Sequence, residues 1–336
     1  MNFYICAAVS KKSDHIDIIN SLRGIAALSV VLYHFVVTTI DFVQNETVKD
    51  VFHYGSRGVQ LFFIISGIVI PLSLLNSGYT LKNSWTFIKK RFVRIEPPYL
   101  VAVAVGILYL IVRNYIPGTT EIDMTPSFTE IILHLGYLIP FVEGAEWINP
   151  VFWTLAVEFQ YYLALALLFP LILSKKTTLR LLFYAIFIGV SFIPIGTHFF
   201  PYWASYFMVG ITYVLFKKEF VGLAEYAILS VVLGAVIIYH QNLVDFGIAL
   251  GAICLIHFVP KFKWKPTLFL GKISYSLYLL HSMIGSALVN YLSHIYRSPI
   301  QQFLVIAAGV MVSILSAYVM YRLIEKPTHA FARKIK

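Results

Sequence analysis

Apolar runs long enough to cross the roughly 30 Å of a bilayer's hydrocarbon core recur along almost the whole chain. They predict helices at 22–40, 58–76, 97–113, 152–173, 179–194, 201–216, 222–239, 243–259, 272–291 and 300–322. The run at 129–142 is shorter, holds His134 and Gly136, and is flanked by acidic residues. It predicts an interfacial or re-entrant segment inside a long external loop, 114–151. The pattern as a whole predicts an all-α, polytopic integral membrane protein of about ten transmembrane helices. An N-terminal tail, 1–21, is expected to precede a membrane domain at 22–323, with a C-terminal tail, 324–336, after it.

The positive charges test that count, because Lys and Arg concentrate on the cytoplasmic side of a membrane. With the N-terminus inside, 22 of the 26 Lys and Arg residues fall in inside segments. Only Lys49, Arg57, Arg113 and Arg297 fall outside. Both tails are therefore expected in the cytoplasm, in a multi-pass protein of the bacterial inner membrane. The net charge of +10 does not point to nucleic acid, since the charges lie in short segments between apolar runs. Apolar residues make up 59% of the chain and charged ones 12%, too few to cover a surface in water. Cys6 and Cys254 are far apart and indicate no disulfide framework.

Ionisable groups at membrane depth are costly, so each is a candidate for function. Arg23 and His34 are eleven residues apart on the first helix, which returns them to nearly one face about 16 Å apart. Arg23 is expected at the cytoplasmic mouth and His34 in the outer half, six residues from the helix end. Glu158, on the fourth helix, is expected about 10 Å deep from the same side. A carboxylate beside His34 would fix its tautomer, as a general base requires; a structural Glu–His pair is the alternative. Trp153 and Tyr161 flank Glu158 on its helix. Ser274, Tyr278 and His281 share one stripe of the ninth helix, either as a polar clamp or as part of a site. Ser66 and Gly67 allow close helix approach. Ser66, Trp153, Tyr161, Tyr278 and His281 are thus read as substrate or structural support. Arg91 and Arg94, in Lys89-Lys90-Arg91-Phe92-Val93-Arg94-Ile95-Glu96-Pro97-Pro98, would form with Arg23 a cationic cup suited to phosphates; positive charge that only orients the helix is the alternative, and it accounts for Lys89 and Lys90.

Six segments, in order, resemble the bacterial acyltransferase-3 family of membrane O-acyltransferases. They are Arg23-x10-His34, Phe62-Phe63-x-x-Ser66-Gly67 and Arg91-x-x-Arg94-Ile95-x-Pro97, then Trp153-x-Leu155-x-x-Glu158, Ser274-Tyr275-Ser276-x-Tyr278-Leu279-x-His281 and Glu325-x-Pro327. The resemblance implies acetyl-CoA or another acyl-CoA as cytoplasmic donor, with no metal. It also implies a carbohydrate hydroxyl as acceptor, often external, on O-antigen, capsule or exopolysaccharide. The family's required arginine and histidine fall on Arg23 and His34, and its arginine pair on Arg91 and Arg94. Acylation of a small molecule by the same fold is an alternative. So is a non-enzymatic transporter of sugars or lipid-linked sugars. The long external loop, with Glu121, Asp123, Glu130, Glu143 and Glu146, is a candidate lid over the acceptor.

Overall fold

The computed structural model describes residues 17–115, 125–174 and 176–335. Most of the expected N-terminal tail, with Cys6, Lys11 and Lys12, lies outside them, as do Glu121, Asp123, Lys175 and Lys336. The described residues are mostly helical, with no strand among them.

Helix α1 runs from Asp17 to Val36, shifted toward the N-terminus from the expected 22–40. Thr38 ends it by donating its hydroxyl to the His34 carbonyl at 2.8 Å, and Asp41 then takes a left-handed conformation (φ 52°). His34 is therefore two residues from the helix end, not six. Helix α2 (Glu46–His53) starts on the side chain of Asn45, which accepts from the Val48 amide. A short 3-10 turn links it to α3 (Gly58–Asn76), whose bounds match the predicted 58–76.

Helix α4 (Ser84–Asn114) begins thirteen residues before the expected 97, so the basic segment is helical rather than a lead-in. Phe87, Arg91 and Ile95 form a buried stripe at i, i+4 and i+8, which holds that part of the helix against its neighbours. Pro97 and Pro98 leave the carbonyls of Val93 and Arg94 without their helical donors, yet the helix runs through them.

The short apolar run becomes α5 (Phe128–His134), capped by a Ser127–Glu130 box, followed by a 3-10 turn at Ile139–Phe141. Next come α6 (Trp153–Ile172), α7 (Thr177–Gly189), α8 (Phe200–Lys217), α9 (Leu223–His240) and α10 (Leu243–Phe258). The ninth predicted helix is longer than 272–291. It comprises α11 (Lys265–Leu280), a π-helical segment at His281–Gly285, and α12 (Ser286–Ser293). After α13 (Pro299–Met320), a second π segment at Tyr321–Glu325 leads into α14 (Lys326–Ala332). The expected C-terminal tail is therefore largely a helix, and it packs on α4.

Among the described residues, six helical stretches are long and apolar enough to cross a membrane. They are Asp17–Val36, Glu46–Asn76, Leu81–Asn114, Pro150–Ile172, Leu223–His240 and Pro299–Ala332. Large apolar side chains such as Val231, Phe303, Met311 and Leu315 stand exposed on the outside of the bundle. Lipid, not water, suits such a surface.

Candidate active site

Helices α1, α3, α4, α6 and α11, with the second π segment and α14, line a cavity of about 100 Å³. Arg23, Arg91, Arg94, Glu158, Ser66 and Tyr278, all singled out from the sequence, line it. A second cavity of about 510 Å³ shares Arg91, Arg94 and His329 with the first and adds Lys90, Asn83 and Arg333. The two spaces thus meet at the arginines. The second has the size of an ordinary ligand pocket, while the first is narrower than one.

Two carboxylates balance the three arginines. Arg23 stands within electrostatic reach of Glu325 and Glu158 as well as Arg94. Glu325, only 2% exposed, accepts from the Ser276 hydroxyl at 2.6 Å, and His329 Nε2 lies 3.8 Å from its other oxygen. Glu158 Oε1 accepts from Ser66 Oγ at 2.9 Å and from the Tyr162 hydroxyl at 2.6 Å. The Arg91 guanidinium sits 5.5 Å from the Phe87 ring and 5.7 Å from that of Tyr162. Tyr275 donates its hydroxyl to the Ile95 carbonyl at 2.7 Å, tying α11 to α4 beside Arg94. Buried charge of this kind persists only when paired and hydrogen-bonded.

The expected pairing of Glu158 with His34 does not form. Glu158 belongs to the arginine end, because α6 is packed there by Tyr162 and Ser66. His34 instead packs its ring against His281, with centroids 5.1 Å apart. Tyr278 links the two regions, since it lines the first cavity and its ring lies 5.9 Å from that of His281. Its hydroxyl accepts from Thr154 at 3.0 Å.

Trp153 and Tyr161 do not line either cavity. Trp153 stacks on Trp203 at 5.4 Å, and Tyr161 stacks on Phe207 at 4.1 Å within the core. Ser274 lines the first cavity and donates back to the Gly271 carbonyl. Sequence reasoning gave no site role to Tyr162, Tyr275, Lys90, His329 or Arg333. Tyr162 carried one available signal, its place four residues after Glu158, one helical turn on. His329 carried the same signal, one turn after Glu325, whereas nothing in the linear pattern marked Arg333; both reach the site because α14 packs on α4.

The segment between α4 and α6 is held by polar ties within itself and to α4, and by the stacking of Tyr137 on Phe159 of α6. His134 is fully buried, and its Nε2 accepts the Ile148 amide at 3.1 Å. Its Nδ1, 2.7 Å from the Glu130 carbonyl, must then carry the proton, so the ring is neutral. Burial lowers the pKa of His134, in keeping with that state. Glu130 is held below its ordinary range by the Ser127 and Glu146 amides that it accepts. Tyr137 reaches down to donate to Glu96 of α4 at 2.6 Å. Among the described residues, no group of three or more His, Cys, Asp or Glu side chains is placed to hold a metal ion.

Helices clad in apolar side chains around a buried cluster of arginines and carboxylates define a multi-pass membrane protein with a charged interior. The chain belongs to the acyltransferase-3 family, whose acyltransferase domain matches residues 16–322. It is an acyltransferase that transfers groups other than aminoacyl groups, in a membrane setting, and it takes an acyl donor as co-substrate. The transporter alternative falls with that membership.

A protein of the Acidianus two-tailed virus, provisionally named an acetyltransferase, is 26% identical over 80% of this chain and 83% of its own length. Nodulation protein 10 of Rhizobium leguminosarum bv. viciae is 31% identical over 34% of this chain and 33% of its own. A Staphylococcus aureus protein provisionally named an O-acetyltransferase is 29% identical over 57% of this chain and 31% of its own. The chain therefore spans about a third of the length of these last two relatives. No solved structure matches it.

Proposed function

We propose that the protein moves an acetyl group from acetyl-CoA, bound from the cytoplasmic side, to a hydroxyl of a surface carbohydrate such as O-antigen, capsule or exopolysaccharide. It does so as a multi-pass protein of the bacterial inner membrane, with its termini in the cytoplasm. The observation that carries this reading is the pair of cavities joined at Arg91 and Arg94. The larger one, with Lys90 and Arg333, suits the phosphates of a nucleotide end. The narrower one suits a thin pantetheine arm pointing toward Tyr278, provided the helices part slightly around it.

His34 acts as the general base in this scheme. It accepts the proton of an acceptor hydroxyl, whose oxygen attacks the thioester carbonyl. Glu158, with Ser66 and Tyr162, keeps the arginines apart and oriented. The names of two relatives, which give acetyl transfer in one case and O-acetyl transfer in the other, support acetyl as the group and oxygen as the acceptor.

Acetyl-CoA binding to detergent-purified protein tests the donor. Saturable binding is expected in the wild type, and the Arg91→Ala/Arg94→Ala double variant should lose at least tenfold in affinity. Wild-type protein that is folded but does not bind would overturn acetyl-CoA as donor.

A further inference from the structure

We propose that His281 is the positioning partner of His34, holding it through a bare Nε2 lone pair. This rests on the reading of His34 as the base. His281 is fully buried. Its Nδ1 lies 2.8 Å from the Tyr278 carbonyl and 3.2 Å from that of Leu277. Carbonyl oxygens only accept, so Nδ1 carries the proton and Nε2 presents an unshared pair. That Nε2 is buried and has no hydrogen-bond partner among the described residues. An acceptor buried without a donor is costly unless it serves a use.

A candidate donor is the ring of His34, with centroids 5.1 Å apart and planes at 47°. An N–H···N bond of about 2.9 Å between two imidazoles places their centroids about 5 Å apart. The separation is therefore already suitable, and a turn of the His34 ring would close the bond. Catalytic hydrogen bonds often tighten only when substrate is present.

The backbone is shaped for this arrangement. His281 begins the π-helical segment, an irregularity that occurs often at functional sites. Four residues on, Gly285 leaves no room for a side chain, because a methyl group there would overlap Phe35 and Ser313. Phe35 follows His34 directly, so this contact presses α1 against the π segment.

The resulting relay is simple. Two carbonyls fix His281, the His281 lone pair takes one N–H of His34, and the other His34 nitrogen is left bare toward the acceptor. When the acceptor oxygen bonds to the acyl carbon and the carbon–sulfur bond breaks, the hydroxyl proton moves to that nitrogen and then to the departing thiolate. His281 stays neutral throughout and steadies the transient charge on His34. This is the role a carboxylate plays beside other catalytic histidines, here filled by a neutral ring that suits an apolar depth.

Two substitutions separate this role from a plain structural clamp. His281→Gln keeps a side-chain acceptor near the Nε2 position, and His281→Asn keeps a donor near the Nδ1 position. Membranes carrying wild type, each variant, or His34→Ala would be supplied with acetyl-labelled acetyl-CoA. Base-labile label in the carbohydrate fraction would then be read. The expected order is wild type, then His281→Gln at about a tenth, then His281→Asn near the level of His34→Ala, with acetyl-CoA binding retained in all four.

Transfer by His281→Asn equal to or above that by His281→Gln overturns the proposal. Full transfer by His34→Ala instead overturns the reading of the base itself, so the two failures are distinct. Nitrogen NMR of histidine-labelled wild type gives a test that no variant's folding can confound. His281 should carry its proton on Nδ1, and the opposite tautomer would also overturn the proposal.

Discussion

Gly24 of α1 lies directly against Gly271 of α11, and ten residues beyond each stand His34 and His281. A methyl group added at Gly24 would stand 2.5 Å from the Thr267 carbonyl and 2.7 Å from the Gly271 amide nitrogen. One added at Gly271 would overlap the Asn20 carbonyl. The helices run side by side from this point, so the glycine contact sets the register that brings the histidines together about 15 Å further along. Next to Gly24, the same contact also fixes Arg23. We expect Gly271→Ala to destabilise the protein by about 1–3 kcal/mol through overpacking, visible as a lower thermal midpoint in detergent. Both donor binding and transfer should suffer. Gly251→Ala, on α10 with open space around it, is the control and should leave the midpoint unchanged or raised.

A second buried polar cluster lies away from the arginine cavity. Asp245, 2% exposed, accepts from Gln60 Nε2 at 3.1 Å, and Arg57 Nε is 3.7 Å away. Removing one member of such a pair leaves the other charge uncompensated, which costs about 3–5 kcal/mol. Asp245→Ala should therefore lower stability strongly. Adding Arg57→Leu to that variant should recover part of the loss. Thermal unfolding of the two single variants and the double variant measures the coupling, and simple additivity would mean the pair contributes little.

The sequence made the helices and the arginine cup legible because both rest on local patterns. Apolar runs must be long to span lipid, and Arg91-x-x-Arg94 returns to one face of any helix. Helix ends were less legible. Pro97 and Pro98 read as a start, whereas the buried stripe Phe87, Arg91 and Ile95 carries α4 well before them. The partner of Glu158 was misread for a different reason. Depth along a helix can be counted from sequence, but rotation about its axis depends on packing. Glu158 faces Ser66 and Tyr162 rather than His34. Likewise His281 was seen as a clamp or a site residue, since the bare nitrogen appears only once its other nitrogen is found on two carbonyls.

That placement of Glu158 changes what its removal should do. Glu158→Gln keeps an oxygen for Ser66 and Tyr162 but removes a negative charge from among Arg23, Arg91 and Arg94. Donor binding should hold or tighten, since a phosphate-binding cup gains net positive charge. Turnover should fall about tenfold as the arginines lose their alignment, a plausible size for a misplaced positioning group. Measuring acetyl-CoA affinity and transfer rate side by side separates the two effects. Loss of affinity with an unchanged rate would show that Glu158 supports the fold of the cup and not its action.

The segment between α4 and α6 should loosen in acid, and the sign follows from two groups. Burial depresses the pKa of His134 below its ordinary 6.5. When the segment opens, the imidazole takes up a proton more readily than when it is closed. The open form therefore binds more protons below about 6.5, and the closed form loses stability as the pH falls through that range. Glu130, depressed by the Ser127 and Glu146 amides, acts in the same direction at lower pH. Its contribution is complete above its ordinary 4.5 and is lost as the pH falls through its lowered value. Hydrogen exchange of residues 128–152 should thus be slow at pH 7.5 and faster at pH 5.5, relative to the core of α6, after correction for the intrinsic pH dependence of exchange. His134→Gln should remove the His134 part of that change. Ser127→Ala, which deletes the cap, should weaken the closed segment by about 1 kcal/mol at both pH values. Exchange in the segment that follows α6 at every pH would mean these ties do not govern its opening.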